Sequence, residues 1–90
     1  MTNSGRKFEI FYAKSVKSDL DKIAKQDLPK IKLAIEKLQD FPNISNIKKL
    51  TAHPLADFRL RVGNYRLLFD VEWENKKIYI LKIGHRKDVY

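Results

Sequence analysis

The chain predicts an α+β fold of order β-α-α-β-β-β, a helical hairpin packed on one face of a twisted, largely antiparallel four-stranded sheet. Three observations carry that expectation. Apolar residues recur at helical spacing between residues 13 and 41, and they alternate with polar residues over 7–12 and from 58 to 83. Two of the alternating runs meet at Gly63-Asn64, a dipeptide suited to the positive φ of a two-residue hairpin turn. The 90 residues make one domain, 1–90, with residues 1–5 as a flexible leader.

Taken in order, Lys7 to Tyr12 reads as a first strand with Phe8, Ile10 and Tyr12 on one face. Val16, Leu20, Ile23 and Ala24 then form one apolar stripe on a helix of about 13–25. Asp27-Leu28-Pro29 starts a second helix, with Asp27 as N-cap and proline in the first turn, where a missing N–H costs nothing. Leu28, Ile31, Ile35 and Leu38 mark its buried stripe, which ends before Pro42. The connection near Gln26 is short, so the helices pair antiparallel. Lysines 14, 17, 22, 25, 30, 32 and 37 lie mostly off the stripes, as a solvated face or as a surface for nucleic acid or the ribosome.

Phe41 to Asp57 reads as a connection rich in turn residues and carrying the basic pair Lys48-Lys49. If Gly63 and Asn64 make the turn, Val62 pairs with Tyr65, Arg61 with Arg66 and Leu60 with Leu67. Phe58, Leu60, Val62, Tyr65, Leu67 and Phe69 then share one face, and Arg59, Arg61 and Arg66 share the other. The second strand runs on through Val71 and Trp73, a turn follows at Glu74-Asn75-Lys76-Lys77, and Ile78 to Ile83 form the last strand. A register that keeps Lys82 out of the core pairs Val71 with Leu81, Phe69 with Ile83, Asp70 with Lys82 and Arg66 with Arg86. Gly84 lets the strand end kink or approach another backbone closely.

Composition narrows the partners. The net charge is +8, divided as +3 over residues 1–45 and +5 over 46–90, and four of the five arginines lie at position 59 or beyond. Arginine is the residue for bidentate phosphate contacts, so a basic chain of this size points to nucleic acid or an acidic protein partner. With no cysteine there is neither a disulfide nor thiolate chemistry, which fits a reducing cytoplasm. No apolar run approaches the roughly 18 residues of a membrane span, and no signal-peptide block opens the chain. No His, Cys or carboxylate cluster has metal-ligand spacing and there is no phosphate-binding glycine loop, so neither metal nor cofactor is expected.

Arg59, Arg61, Arg66 and Arg86 converging on one sheet face would form a phosphate site. Like charges opposite one another on a hairpin cost roughly 0.2–1 kcal/mol, a cost that an anion above them relieves. Ribonuclease chemistry needs a 2′-OH deprotonated, charge steadied on the phosphorane, and a proton for the leaving 5′-oxygen. Arginines supply the second, and a positioned His, Tyr or Lys moves protons. The tail Gly84-His85-Arg86-Lys87-Asp88-Val89-Tyr90 offers His85 and Tyr90; the latter can also stack on a splayed base.

The run Phe58–Phe69, followed by Ile83-Gly84-His85-Arg86-Lys87-Asp88-Val89-Tyr90, resembles the RelE/ParE superfamily of toxins from toxin–antitoxin pairs, the RelE branch above all. That resemblance implies a ribosome-dependent endoribonuclease, an mRNA interferase that cuts in the A site by 2′-OH attack and inhibits translation as part of a stress response. By position, the family's basic pair falls on Arg59 and Arg61, its central arginine on Arg66, its second arginine on Arg86 and its C-terminal tyrosine on Tyr90. Catalysis is thus expected of Arg61, Arg66, Arg86 and Tyr90, and RNA binding of Arg59, Lys48, Lys49 and His85. The resemblance further implies a RelB-like antitoxin that hides the basic face, contact with ribosome and mRNA, and operator DNA bound through the toxin–antitoxin complex. A ParE-like gyrase-inhibiting toxin on the same fold, without nuclease activity, is the alternative.

Overall fold

The computed structural model describes residues 7–87, so the leader at 1–5 and Tyr90 lie outside the described residues. Strand β1 (Glu9–Tyr12) leads into helix α1 (Lys14–Asp21), a 3-10 turn at Lys25–Asp27, helix α2 (Leu28–Lys37) and a second 3-10 turn at Leu38–Asp40. Strands β2 (Ile47–Lys49), β3 (Phe58–Val62), β4 (Tyr65–Glu72) and β5 (Lys77–His85) follow. They form one sheet in the order β1-β5-β4-β3-β2, with β1 parallel to β5 and every other pair antiparallel. The fold class is the one expected, with one strand more. β2 arises inside the segment 41–57 read as a connection, because Lys48 and Lys49 find ladder partners in Arg59 and Phe58.

The core forms where the apolar stripes meet the sheet. Val16 from α1 and Ile31 and Ile35 from α2 pack with Leu60, Leu67, Phe69, Ile78, Ile80 and Ile83, and seven of these nine are at most 1% exposed. Phe41, at the end of the helical layer, meets Phe8, Phe58 and Phe69 edge-on with ring centres 5.4–5.8 Å apart. Trp73 packs against Phe8 and Phe41 as well, yet half of its surface stays exposed in the turn after β4.

Three local expectations are corrected. Helix α1 ends at Asp21 rather than near 25, since the Lys22 and Ile23 amides bond back to the Asp19 and Leu20 carbonyls as the chain tightens toward the reversal. Asp27 does not cap α2 with its side chain; its backbone is already helical, and its carboxylate accepts a 2.7 Å hydrogen bond from the Tyr65 hydroxyl. The β4–β5 register also differs. Glu72 pairs with Lys77, Val71 with Ile78, Asp70 with Tyr79 and Phe69 with Ile80. A bulge then inserts Leu81, after which Leu68 pairs with Lys82, Leu67 with Ile83, Arg66 with Gly84 and Tyr65 with His85.

The bulge has a packing cause. Ile78 and Ile80 are two apart, but Ile80 and Ile83 are three apart, and a strand alternates faces every residue. One extra residue lets all three reach the core and turns Lys82 outward. Leu81 then packs with Leu68, Leu50 and Ala56 in a small second cluster on the far side of the sheet. The sheet face opposite the helices is therefore roofed in part by residues 50–57, tied down where the Asp57 amide donates to Asp70 Oδ1 at 2.7 Å. Past Tyr12, where β1 ends, α1 takes over the edge of β5: Asp19 Oδ2 accepts from the Ile83 amide at 3.1 Å.

Candidate nucleic-acid interface

The β3–β4 hairpin carries the expected register, with Val62 opposite Tyr65, Arg61 opposite Arg66 and Leu60 opposite Leu67. Gly63 alone of the two turn residues takes a positive φ, +59°, the geometry of a II′-type turn whose first central position favours glycine. Directly paired residues share a face. Arg61 and Arg66 therefore stand together, and Arg59, paired with Leu68, lies on the same side. Lys48 joins them opposite Arg59, whereas Lys49 pairs with Phe58 and belongs to the other face.

Their environments differ. Arg61 is exposed. Arg66 is only 8% exposed, and its Nη1 donates to the carbonyls of Gly63 and Tyr65 at 3.3 and 3.1 Å. The guanidinium is thus folded over the turn, with Nε making no hydrogen bond among the described residues. Gly84 sits across from it and carries no side chain to compete for that space.

Arg86 is not the cross-strand partner of Arg66. It lies one residue past β5, exposed, and its amide donates to the Asn64 carbonyl at 2.8 Å, which brings it to the turn itself. The strand alternation that puts Gly84 on the arginine side and His85 on the helix side gives Arg86 the arginine parity.

His85 stands apart from this group. It faces the helices, its ring edge-on to Tyr65 at 5.8 Å, and lines a pocket of about 250 Å³ with Asp19, Lys22, Lys82 and Gly84. Tyr65 ties the hairpin to the helical layer through its bond to Asp27, and Lys30 lies 3.6 Å from the same carboxylate and 5.8 Å above the Tyr65 ring. Donating its proton to Asp27 pushes the Tyr65 hydroxyl above its ordinary pKa, with desolvation and the Asp27 charge adding to the rise.

The outer face is divided in sign. Lys48, Arg59, Arg61 and Arg66 gather toward the turn, while Asp70 and Glu72 lie farther along β4. Glu72 accepts hydrogen bonds from Asn75 and from the Tyr79 hydroxyl. Lys82 also has the arginine-side parity, opposite Leu68 rather than the expected Asp70, and it pairs with Asp19 at 3.8 Å. Among the described residues no cluster of His, Cys, Asp or Glu could hold a metal ion. None of their helices is long and apolar enough to cross a membrane. A group of guanidiniums around a turn can bind a phosphodiester and steady negative charge that develops on it.

A family model described as the ParE toxin of the type II toxin–antitoxin system parDE matches residues 10–90. Toxin RelE3 of Methanocaldococcus jannaschii is 30% identical over 86 residues, covering 91% of this chain and 94% of that protein. In the crystal structure of the RelB–RelE antitoxin–toxin complex from Methanococcus jannaschii, one chain is 31% identical with a TM-score of 0.72, over 89% of this chain and 94% of that one. YafQ from E. coli, at 16% identity, shares the fold with a TM-score of 0.74 over 92% of this chain and 98% of its own.

Proposed function

Because the chain belongs to the RelE/ParE superfamily of toxins from type II toxin–antitoxin systems, we propose that it is an mRNA interferase, a ribosome-dependent endoribonuclease of the cytoplasm. In the proposed reaction the 2′-oxygen of a message nucleotide loses its proton and attacks the adjacent phosphorus. The bond to the 5′-oxygen breaks, the leaving oxygen takes a proton, and a 2′,3′-cyclic phosphate remains. Arg61 and Arg66 neutralise the phosphorane oxygens, and Arg86 reaches the same phosphate from the far side of the turn. Arg59 and Lys48 hold the flanking backbone, and Tyr90 orients the message. An antitoxin is the partner; that it hides the basic face and joins the toxin on operator DNA belongs to the proposal.

The observation that supports this reading best is the directly opposed pair Arg61–Arg66, two positive groups set together with no carboxylate bonded to either among the described residues. Such a pair costs stability in the free protein and is relieved by a polyanion. The test is a cleavage assay on ribosomes programmed with a defined message. Cuts phased to the A-site codon are expected from the wild type and none from Arg66→Ala. Intact message with folded protein would overturn the reading. A second reading follows from the family model itself, which is that of ParE toxins. It requires inhibition of gyrase supercoiling with message left whole, and the same preparation can be tested for it.

A further inference from the structure

Where β2 stops, the edge of β3 opens into a pocket against α2. β2 pairs with β3 only from Phe58 to Leu60, and beyond it the Arg61 amide donates to the Asn46 carbonyl at 3.0 Å. Asn46 holds a positive φ of +68° there, a conformation asparagine tolerates better than most residues. The pocket, of about 490 Å³, is lined by three cations, Lys30 and Lys37 from α2 and Arg61 from β3, and by no carboxylate. Neither Lys37 nor Arg61 takes part in an ion pair among the described residues. Lys30 stands close to the hairpin turn, where a Cβ on Gly63 would meet its Nζ at 3.0 Å. Asn43, Ser45 and Asn46 form part of the lining and make no side-chain hydrogen bond among the described residues. Leu33, 53% exposed, and Ile44 give the pocket an apolar side.

Cations, free amides and an apolar side together match one unit of an RNA chain. We infer that this pocket receives a nucleotide next to the cleaved bond, with Asn43 and Asn46 reading the edge of its base. Leu33 and Ile44 lie against the base face, and Lys30 and Lys37 meet the phosphate. Arg61 is shared, since it lines the pocket and stands opposite Arg66, so a strand crossing the arginine face continues into the pocket. A carboxylate or a bare phosphate only accepts hydrogen bonds and would leave the amide oxygens of Asn43 and Asn46 unmatched. A base edge both donates and accepts. The inference rests on the proposed reading of the chain as a message-binding toxin, and it assigns base preference beside the cut to the segment 43–46.

The test is nuclear magnetic resonance of the isotope-labelled full chain, titrated with each nucleoside 5′-monophosphate of RNA and with ribose 5-phosphate, which lacks a base. Nucleotides should give a saturable shift of the Asn43 and Asn46 side-chain amides and of the Gly63 backbone amide. The preferred nucleotide should bind roughly threefold or more tighter than ribose 5-phosphate, the scale of one added hydrogen bond. Asn43→Ala/Asn46→Gly, in which glycine keeps the positive φ, should bring that affinity down to the value for ribose 5-phosphate. Lys37→Gln should weaken both ligands by roughly 1.5- to fivefold, the scale of one exposed ion pair. The dispersion of the same spectra confirms that the variants fold. Equal affinity for ribose 5-phosphate and every nucleotide would mark an anion site only and overturn the inference. So would the lack of a saturable shift at these amides, or an unchanged affinity in the asparagine variant. The assay needs neither ribosome nor cleavage, so its failure is distinct from failure of message cutting.

Discussion

Replacing Arg61 by glutamine should make the free protein more stable and its RNA complex weaker. Arg61 is exposed and its side chain makes no ion pair among the described residues, while its cross-strand neighbour Arg66 is buried and held by two turn carbonyls. Arg66 cannot swing away without losing those bonds, so Arg61 bears the repulsion. A like-charged cross-strand pair costs roughly 0.2–1 kcal/mol. For a domain of this size each kcal/mol moves the melting temperature by roughly 4–8 °C, so Arg61→Gln should raise Tm by about 1–8 °C in low salt. At 1 M salt the screening length falls to about 3 Å, and the gain should vanish. In parallel, removing one phosphate contact should lower the slope of log affinity against log salt for a short single-stranded RNA by about 0.7. Thermal denaturation at two salt concentrations and anisotropy titrations with the RNA read both effects. A lower Tm, or an unchanged salt slope, would refute the claim that this arginine is placed for an anion at the expense of stability.

The other outcomes are more direct. Leu67→Ala, at a fully buried site between Leu60 and Ile83, should cost roughly 2–5 kcal/mol in urea denaturation, with cutting per folded molecule unchanged. Arg86→Ala should abolish message cleavage while leaving the denaturation midpoint in place, because its amide still reaches Asn64 and its side chain is exposed. Unaltered cleavage would remove Arg86 from the site. Tyr65→Phe removes the bond to Asp27. Since the folded hydroxyl titrates above the ordinary value of 10.0, the stability it confers is fully present below about pH 10 and is lost as pH rises through the folded pKa. The urea midpoints of wild type and Tyr65→Phe should therefore converge above pH 10, and a constant gap would contradict the assignment.

Much of the candidate site was legible because it is local. Gly63-Asn64 set the β3–β4 register, and a period of two then placed Arg59, Arg61 and Arg66 together with no help from the rest of the chain. The helical hairpin was legible for the same reason, from stripes of period 3.6 and Pro29 at the start of α2.

Tertiary structure decided what depended on distant partners. The straight register expected for β5 does not form, since only a bulge at Leu81 buries Ile80 and Ile83 together; their three-residue spacing was the available signal. The four-residue turn before β5 and that bulge together set Gly84, not Arg86, opposite Arg66, and Arg86 reaches the hairpin turn at Asn64. Asp27 had the makings of a helix cap until Tyr65, 38 residues on, took its carboxylate. Strand β2 exists because β3 offers an edge. Short-range sterics and periodicity are written in neighbouring residues. The pairing of edges and the filling of a shared core are settled only when the whole chain competes for the same space.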